Sequence, residues 1–196
     1  MKFPQRTLAH LIVAVASLTA VAGAQAQSGT GMYGFGNGYI GLNAGQSDYS
    51  LGNGTGLYGS TNRVTAYSVT AGGYFNPNVG LEIGYTDFGN ISRAGGTTRA
   101  EGLSLSVVGR LPLSESFNLL GKLGSTYGRT SVSTRPGSGI VDGSENGWGV
   151  SMGLGGEYMM TAQLSALLQY DAHEMKFVGG GRDRVSVTSL GLRYRF

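Results

Sequence analysis

The sequence predicts an all-β protein: a closed eight-stranded antiparallel up-and-down transmembrane β-barrel, preceded by a cleaved signal peptide. Three observations predict it. The N-terminus has the layout of an export signal, the rest falls into segments of about ten residues that alternate apolar with small or polar side chains, and the composition is low in charge but rich in glycine and tyrosine.

At the N-terminus, Lys2 and Arg6 precede an apolar run over residues 8–22, and Ala24-Gln25-Ala26 offers a small-x-small cleavage site before Gln27. The run is shorter than the ~20 apolar residues of a spanning helix and is interrupted by Ser17 and Thr19, which favours a signal peptide over an anchor. Residues 1–26 are therefore read as the signal, 27–37 as an N-terminal periplasmic segment and 38–196 as the barrel. Cleavage removes Lys2 and Arg6 from the 14 basic residues, leaving 12 against 11 acidic ones, a net charge of +1. The basic character of the precursor thus gives no support to a nucleic-acid partner.

Charged residues make up 13% of the chain, against about 25% in an ordinary soluble domain, while 36 residues are glycine and 11 tyrosine. No long apolar stretch follows the signal, so lipid contact would have to come from alternating side chains. The absence of cysteine excludes a disulfide framework, a thiol nucleophile and thiolate metal sites.

The first segment, 38–49, sets Ile40, Leu42 and Ala44 against Gly41, Asn43 and Gly45. The second, 64–75, has a weaker period that does not fix its facing. The third, 79–88, is the clearest, with Val79, Leu81, Ile83 and Tyr85 alternating with Gly80, Glu82, Gly84 and Thr86. Leu103, Leu105, Val107 and Leu111 mark the fourth against Ser104, Ser106 and Arg110; in the fifth, Phe117, Leu119, Leu123 and Tyr127 oppose Asn118, Lys122 and Thr126. The sixth places Trp148, Val150, Met152, Leu154 and Tyr158 opposite Ser151, Gly153, Gly155 and Glu157. Leu164, Ala166, Leu168 and Tyr170 define the seventh against Ser165, Leu167 and Gln169, and 185–196 forms the eighth, with Leu190, Leu192, Tyr194 and Phe196 on its greasy face.

Connections at 76–78, 112–116 and 160–163 are short; those at 50–63, 89–99, 129–146 and 172–184 are longer and rich in Gly, Ser, Thr and Arg. Short periplasmic turns and long outer loops are the rule for outer-membrane barrels, which puts both termini in the periplasm. Closure follows from the solvent, because an open sheet edge in hydrocarbon leaves backbone groups unpaired at several kcal/mol each. An eight-stranded interior is narrow enough to be filled by side chains, so a packed lumen is expected rather than a pore. Tyrosines and Trp148 near strand ends are expected in the interfacial girdles.

Gly72-Gly73-Tyr74, Asn76-Pro77 and the run from Val79 to Tyr85 resemble the second strand, first turn and third strand of the OmpA-like eight-stranded outer-membrane barrels; Glu157-Tyr158, the stretch 164–170 and the ending Ser189-Leu190-Gly191-Leu192-Arg193-Tyr194-Arg195-Phe196 resemble their last three strands. The resemblance covers essentially the whole mature chain. It implies recognition of Tyr194 and Phe196 by the barrel assembly machinery, with periplasmic chaperones as partners in biogenesis. The larger members carry a further peptidoglycan-binding domain; peptidoglycan anchoring is not among the expectations for these residues. The resemblance also implies a lumen charge network around Glu82, with Arg110, Lys122, Glu157, Gln169 and Arg193 as its members and Arg195 sharing their inward parity. Leu167 stands where the family places an inward arginine, and Gln169 where it has an inward acid, which leaves Lys122 as the partner of Glu82. The bland reading, ions satisfying one another in a confined interior, is preferred to gating.

His173 is the lone histidine after residue 26 and sits beside Glu174, but Met175 occupies the place of the serine in the His-x-Ser pattern of lipid A deacylases. A solvated loop histidine is the simpler reading, and no catalytic residue, metal or cofactor is expected. Gly36-x-Gly38-x-x-Gly41 fits a dinucleotide fingerprint by letters, yet a strand follows it, so no helix N-terminus is available for a pyrophosphate. Arg63, Arg93, Arg99, Arg129, Arg135, Arg182 and Arg184, in or bordering the long loops, are candidates for contact with lipopolysaccharide phosphates.

The sequence thus leads to a non-enzymatic, monomeric outer-membrane barrel of a Gram-negative bacterium, structural and surface-presenting, with lipid and lipopolysaccharide as its surroundings and no nucleic-acid partner. A narrow channel, an adhesin or other surface-binding module, and a lipid A-modifying enzyme remain the alternatives.

Overall fold

The computed structural model describes residues 38–50, 63–93, 96–134, 143–177 and 181–196; the signal-peptide and 27–37 assignments and Arg135 lie outside the described residues. Eight antiparallel strands follow in chain order: β1 (Gly38–Ser50), β2 (Arg63–Tyr74), β3 (Val79–Arg93), β4 (Gly96–Pro112), β5 (Phe117–Thr134), β6 (Gly143–Met159), β7 (Leu164–Phe177) and β8 (Gly181–Arg195). Each pairs with its sequence neighbours, and β1 pairs with β8 from Tyr39 opposite Arg195 to Ser50 opposite Arg184, which closes the barrel.

The alternation sets the two faces. Leu81, Ile83, Leu105, Leu123, Leu154 and Leu190 point outward and are 42–68% exposed. A belt of large apolar side chains around the whole wall is far beyond the exposed patch of a soluble monomer and fits a lipid surround. Inward positions are buried or half-buried. β2 takes its place in this scheme with Ala66, Thr70 and Tyr74 inside and Tyr67 outside. Tyr127 and Trp148, with ring centroids 5.3 Å apart, lie toward one rim, and Phe117, Tyr158, Tyr194 and Phe196 toward the other. Tyr39, Tyr74 and Phe88, by contrast, are inside the lumen and not in a girdle.

Short turns gather at one end of the barrel and each is held by a side chain. Asn76 Oδ1 accepts from the backbone N–H groups of Asn78 and Val79 at 2.9 and 2.7 Å. Ser114 Oγ accepts from Phe117 N–H and Thr161 Oγ1 from Leu164 N–H at 3.1 and 2.9 Å. At the opposite, loop end the strands run further than the sequence pattern indicates. Much of 89–99, 129–146 and 172–184, expected as loop, is strand. The reason is that above the lipid the outer face of a strand meets water, so its side chains turn polar and the hydrophobic alternation stops although the hydrogen-bond ladder continues.

One irregularity re-aims a side chain. The β3–β4 register shifts between Asp87 and Asn90, where Gly89 adopts φ of 83° and Asp87 Oδ1 accepts from Gly89 N–H at 2.9 Å. Such a bulge bends the strand locally. Phe88 is fully buried in the lumen, and Ser47 Oγ donates to its carbonyl at 2.6 Å. Replacing Gly89 by alanine demands a left-handed backbone from a residue with a Cβ, which would lie 2.5 Å from the Thr65 carbonyl oxygen. We expect the urea midpoint of the refolded barrel to fall by an amount equivalent to about 1–3 kcal/mol. Gly109→Ala, where a Cβ meets only the Gly121 carbonyl at 3.8 Å, should leave it unchanged.

Candidate functional site: the charged lumen

Odd residues of β1, β6, β7 and β8 and even residues of β2 to β5 point inward, and at the turn end this parity collects acids and bases into one run. Lys122 Nζ is 2.8 Å from Glu82 Oε1 and 3.9 Å from Asp171 Oδ1. Arg193 lies between two acids, with Nη2 3.2 Å from Glu82 Oε2 and Nη1 3.4 Å from Glu157 Oε1. Arg195 closes the run on Glu157 Oε2 at 2.5 Å. From Asp171 through Lys122, Glu82, Arg193 and Glu157 to Arg195 the charges alternate in sign and sum to zero.

Neutral side chains complete the shell. Tyr39 donates its hydroxyl to Glu82 Oε2 at 2.9 Å, while Asn118 Nδ2 and Ser165 Oγ donate to Glu157 at 3.1 and 2.8 Å. The Arg193 guanidinium stacks 4.0 Å over the Tyr39 ring, and Arg193 and Glu157 are fully buried. A buried ion needs this combination of opposite charge and further hydrogen bonds to be tolerated.

The structure brings Glu82, Lys122, Glu157 and Arg193 together with Arg195, which shares their parity, as the sequence grouped them, and adds Asp171. It separates the other two. Arg110 has inward parity but sits at the turn-end rim, stacked 4.4 Å over Tyr74 and donating to the Pro77 carbonyl at 2.6 and 2.9 Å. Gln169 forms none of these ion pairs; it lines a cavity of about 30 Å³ together with Glu82, Lys122, Asp171, Ser151 and His173. Asp171 and Tyr39 escaped the sequence reading, although continued alternation from Gln169 and from Gly41 points both of them inward.

His173 corrects a second expectation. It is 6% exposed and not a solvated loop residue, because β7 continues to Phe177 and keeps odd positions inside. Its Nδ1 lies 2.8 Å from Thr126 Oγ1 and its ring meets Phe88 edge-on at 5.2 Å between centroids. Above it, Ala66, Phe88, Ala100, Met175, Val185 and Val187 form an apolar cluster in the loop-end half of the lumen.

Among the candidate surface arginines, Arg63 pairs with Asp48 at 3.4 Å, and Arg99 lies between Asp87 at 3.0 Å and Glu101 at 3.8 Å. Arg129 and Arg184 are exposed on outward positions near the loop end. Arg93 and Arg182 fall near the loop ends of β3 and β8, and their side chains, like Arg135 as a whole, lie outside the described residues. Tyr194 and Phe196 face outward beside the barrel seam, where Phe196 N–H donates to the Gly38 carbonyl at 3.0 Å.

A closed eight-stranded sheet with an apolar outer wall and a charge-filled interior defines a small transmembrane barrel. The chain belongs to the family described as outer membrane protein beta-barrel domain, whose profile matches residues 11–196. It is 30% identical over 135 residues to outer membrane protein A of Klebsiella pneumoniae; the match covers 64% of this chain and 39% of that relative, so it spans well under half of the longer protein. Among solved structures it resembles Neisserial surface protein A, with TM-score 0.65, 16% identity and coverage of 81% of this chain and 97% of that one. Ail of Yersinia pestis gives 0.56 at 17% identity, covering 82% and 99%. The N-terminal barrel of OprF from Pseudomonas aeruginosa gives 0.52 at 13%, covering 81% and 97%. At these identities the likeness is one of fold.

Removing one member of the buried run strands a charge. Arg193→Ala is expected to lower unfolding free energy in urea by about 3–5 kcal/mol, and Arg110→Ala, whose guanidinium is half-exposed, by about 1 kcal/mol. Equal losses in the two variants would contradict the separation of Arg110 from the run.

Proposed function

We propose that this protein is a structural, surface-presenting barrel of the Gram-negative outer membrane, without enzymatic activity, exported through the signal at residues 1–26. Its turn end and both termini face the periplasm and its loop end faces outward. The observation that carries this reading is the filled lumen: an ion run built around buried Arg193 and Glu157 occupies the turn-end half and an apolar cluster occupies the other. Together they leave a cavity of about 30 Å³ between them, the space of one or two water molecules. Such an interior supports the wall and, among the described residues, is packed above and below the cavity, which argues against the channel reading.

Outside the lipid belt, Arg129 and Arg184 present guanidinium groups on the outer wall, suited to the phosphates of lipopolysaccharide. Arg63 and Arg99 already have carboxylate partners and are weaker candidates. Tyr194 and Phe196 supply the outward aromatic pattern of the last strand to the assembly machinery, with chaperone escort before insertion. The protein acts as a monomer in this reading.

In planar bilayers the folded protein should give no sustained conductance steps; regular steps would replace the structural reading by the channel one. Gel mobility should shift on boiling in detergent, and protease applied to intact cells should cut only at loop-end segments. For the surface arginines, thermal stabilisation of the barrel by added lipopolysaccharide should shrink when Arg129 and Arg184 are changed to glutamine. An undiminished stabilisation would remove them as contacts.

A further inference from the structure

The ladder between β6 and β7 stops at Ser151 opposite His173, although β6 continues from there to Gly143 and β7 to Phe177. Beyond that point β7 reaches a strand that is not its neighbour. Thr130 Oγ1, inside β5, donates to the Lys176 carbonyl at 2.9 Å. The Cβ that Gly128 of β5 lacks would lie 2.5 Å from Met175 Cε and 3.5 Å from its Cγ. Since β6 stands between β5 and β7, these contacts require the end of β7 to pass along the inner face of β6.

Two glycines of β6 lie under that passage. A Cβ on Gly149 would collide with the backbone carbonyl of Glu174, and one on Gly147 would lie 2.8 Å from Lys176 Cδ. Close backbone approach is the use of glycine inside a strand. The passage brings Met175 over the small polar cavity, packed with Phe88 and Val185.

We propose that residues 174–176 form a movable strap that seals the loop-end mouth of the lumen. The sealed arrangement buries Met175 and uses the Thr130 bond. The strap keeps its ladder to β8, from Glu174 opposite Arg184 to Phe177 opposite Gly181, so the two strand ends move as one ribbon. The same register continued would set Val150 opposite Glu174 and Gly147 opposite Phe177, so this ribbon can swing out and lengthen the β6–β7 ladder. One arrangement gains apolar burial and the other gains backbone hydrogen bonds, which makes them two discrete states of one element. In the swung-out state the cavity at Glu82, Lys122, Asp171 and His173 opens to water and small ions from the loop end. The inference goes beyond the structural role and holds whichever way the barrel lies in the membrane.

The chain has no cysteine, so a single thiol reports cleanly. Ser151→Cys places one in the cavity beneath the strap, at a buried position close in size to the original. In the folded barrel in detergent, a small water-soluble thiol reagent should label it slowly, and adding Gly149→Val, which leaves no room for the strap, should speed labelling by about tenfold or more. Equal rates in two barrels that both show heat-modifiable mobility would overturn the proposal. If Gly149→Val does not fold, a second pair decides: Gly128→Cys with Met175→Cys should oxidise to a disulfide in the folded protein, seen as a mobility change on reduction. Failure to cross-link in a folded barrel would show that β7 does not cross inside β6 and would end the strap model.

Discussion

In hydrocarbon a backbone N–H or C=O has no water to turn to, and this single fact organises the molecule. Every strand must find a partner on both sides, so the last must meet the first. The β1–β8 ladder does this over nearly the full length of β1, and the terminal Phe196 N–H bonds the Gly38 carbonyl at the rim. Once the sheet is closed, the side-chain period of two leaves only two destinations, acyl chains or lumen. The outer wall is then answered by lipid, and the chemistry of the protein is confined to what can fill a narrow interior.

That confinement explains why glycine and large polar residues occur together inside. A Cβ on Gly72 would lie 2.6 Å from the Tyr39 ring and hydroxyl, and one on Gly191 would overlap the Asn43 side chain. The tyrosine and asparagine occupy space that the facing glycines vacate. Charged groups follow the same logic of mutual accommodation. Glu157 alone receives Arg193, Arg195, Asn118 and Ser165, so none of its lone pairs is left to an apolar neighbour.

Much of this was legible in the sequence where the two faces of a strand differ strongly. Leu81 and Ile83 beside Glu82 and Gly84 could be assigned at sight, as could Trp148, Val150 and Leu154 against Gly153 and Glu157. β2 was not, because each of its faces mixes types, Val64 and Ala66 with Ser68 and Thr70 on one and Val69 and Ala71 with Arg63 and Thr65 on the other, so period alone carries no side. The grouping of Glu82 with Lys122, Glu157 and Arg193 followed from parity and resemblance. Parity gives direction but not height along the barrel, however, and this is why Arg110 was grouped with a run that it does not join. His173 and Asp171 were lost for other reasons. His173 lies where lipid contact ends and the alternation fades, so a strand that continues there looks like a loop, whereas Asp171 follows directly on Tyr170, the last residue that the alternation marks.

The two halves of the lumen differ in more than polarity. At the turn end the contacts are directional and coupled: moving Arg193 strips both Glu82 and Glu157 at once, and an uncompensated charge in a low-dielectric interior costs several kcal/mol. At the loop end Phe88, Met175, Val185 and Val187 hold each other by contacts that are non-directional and individually small. An ion run resists piecewise loosening, whereas an apolar cluster can release one side chain and repack around the gap. Rigidity is therefore concentrated beside the short, side-chain-locked turns, and any rearrangement of the interior has its lowest cost at the end where the strands outrun the membrane.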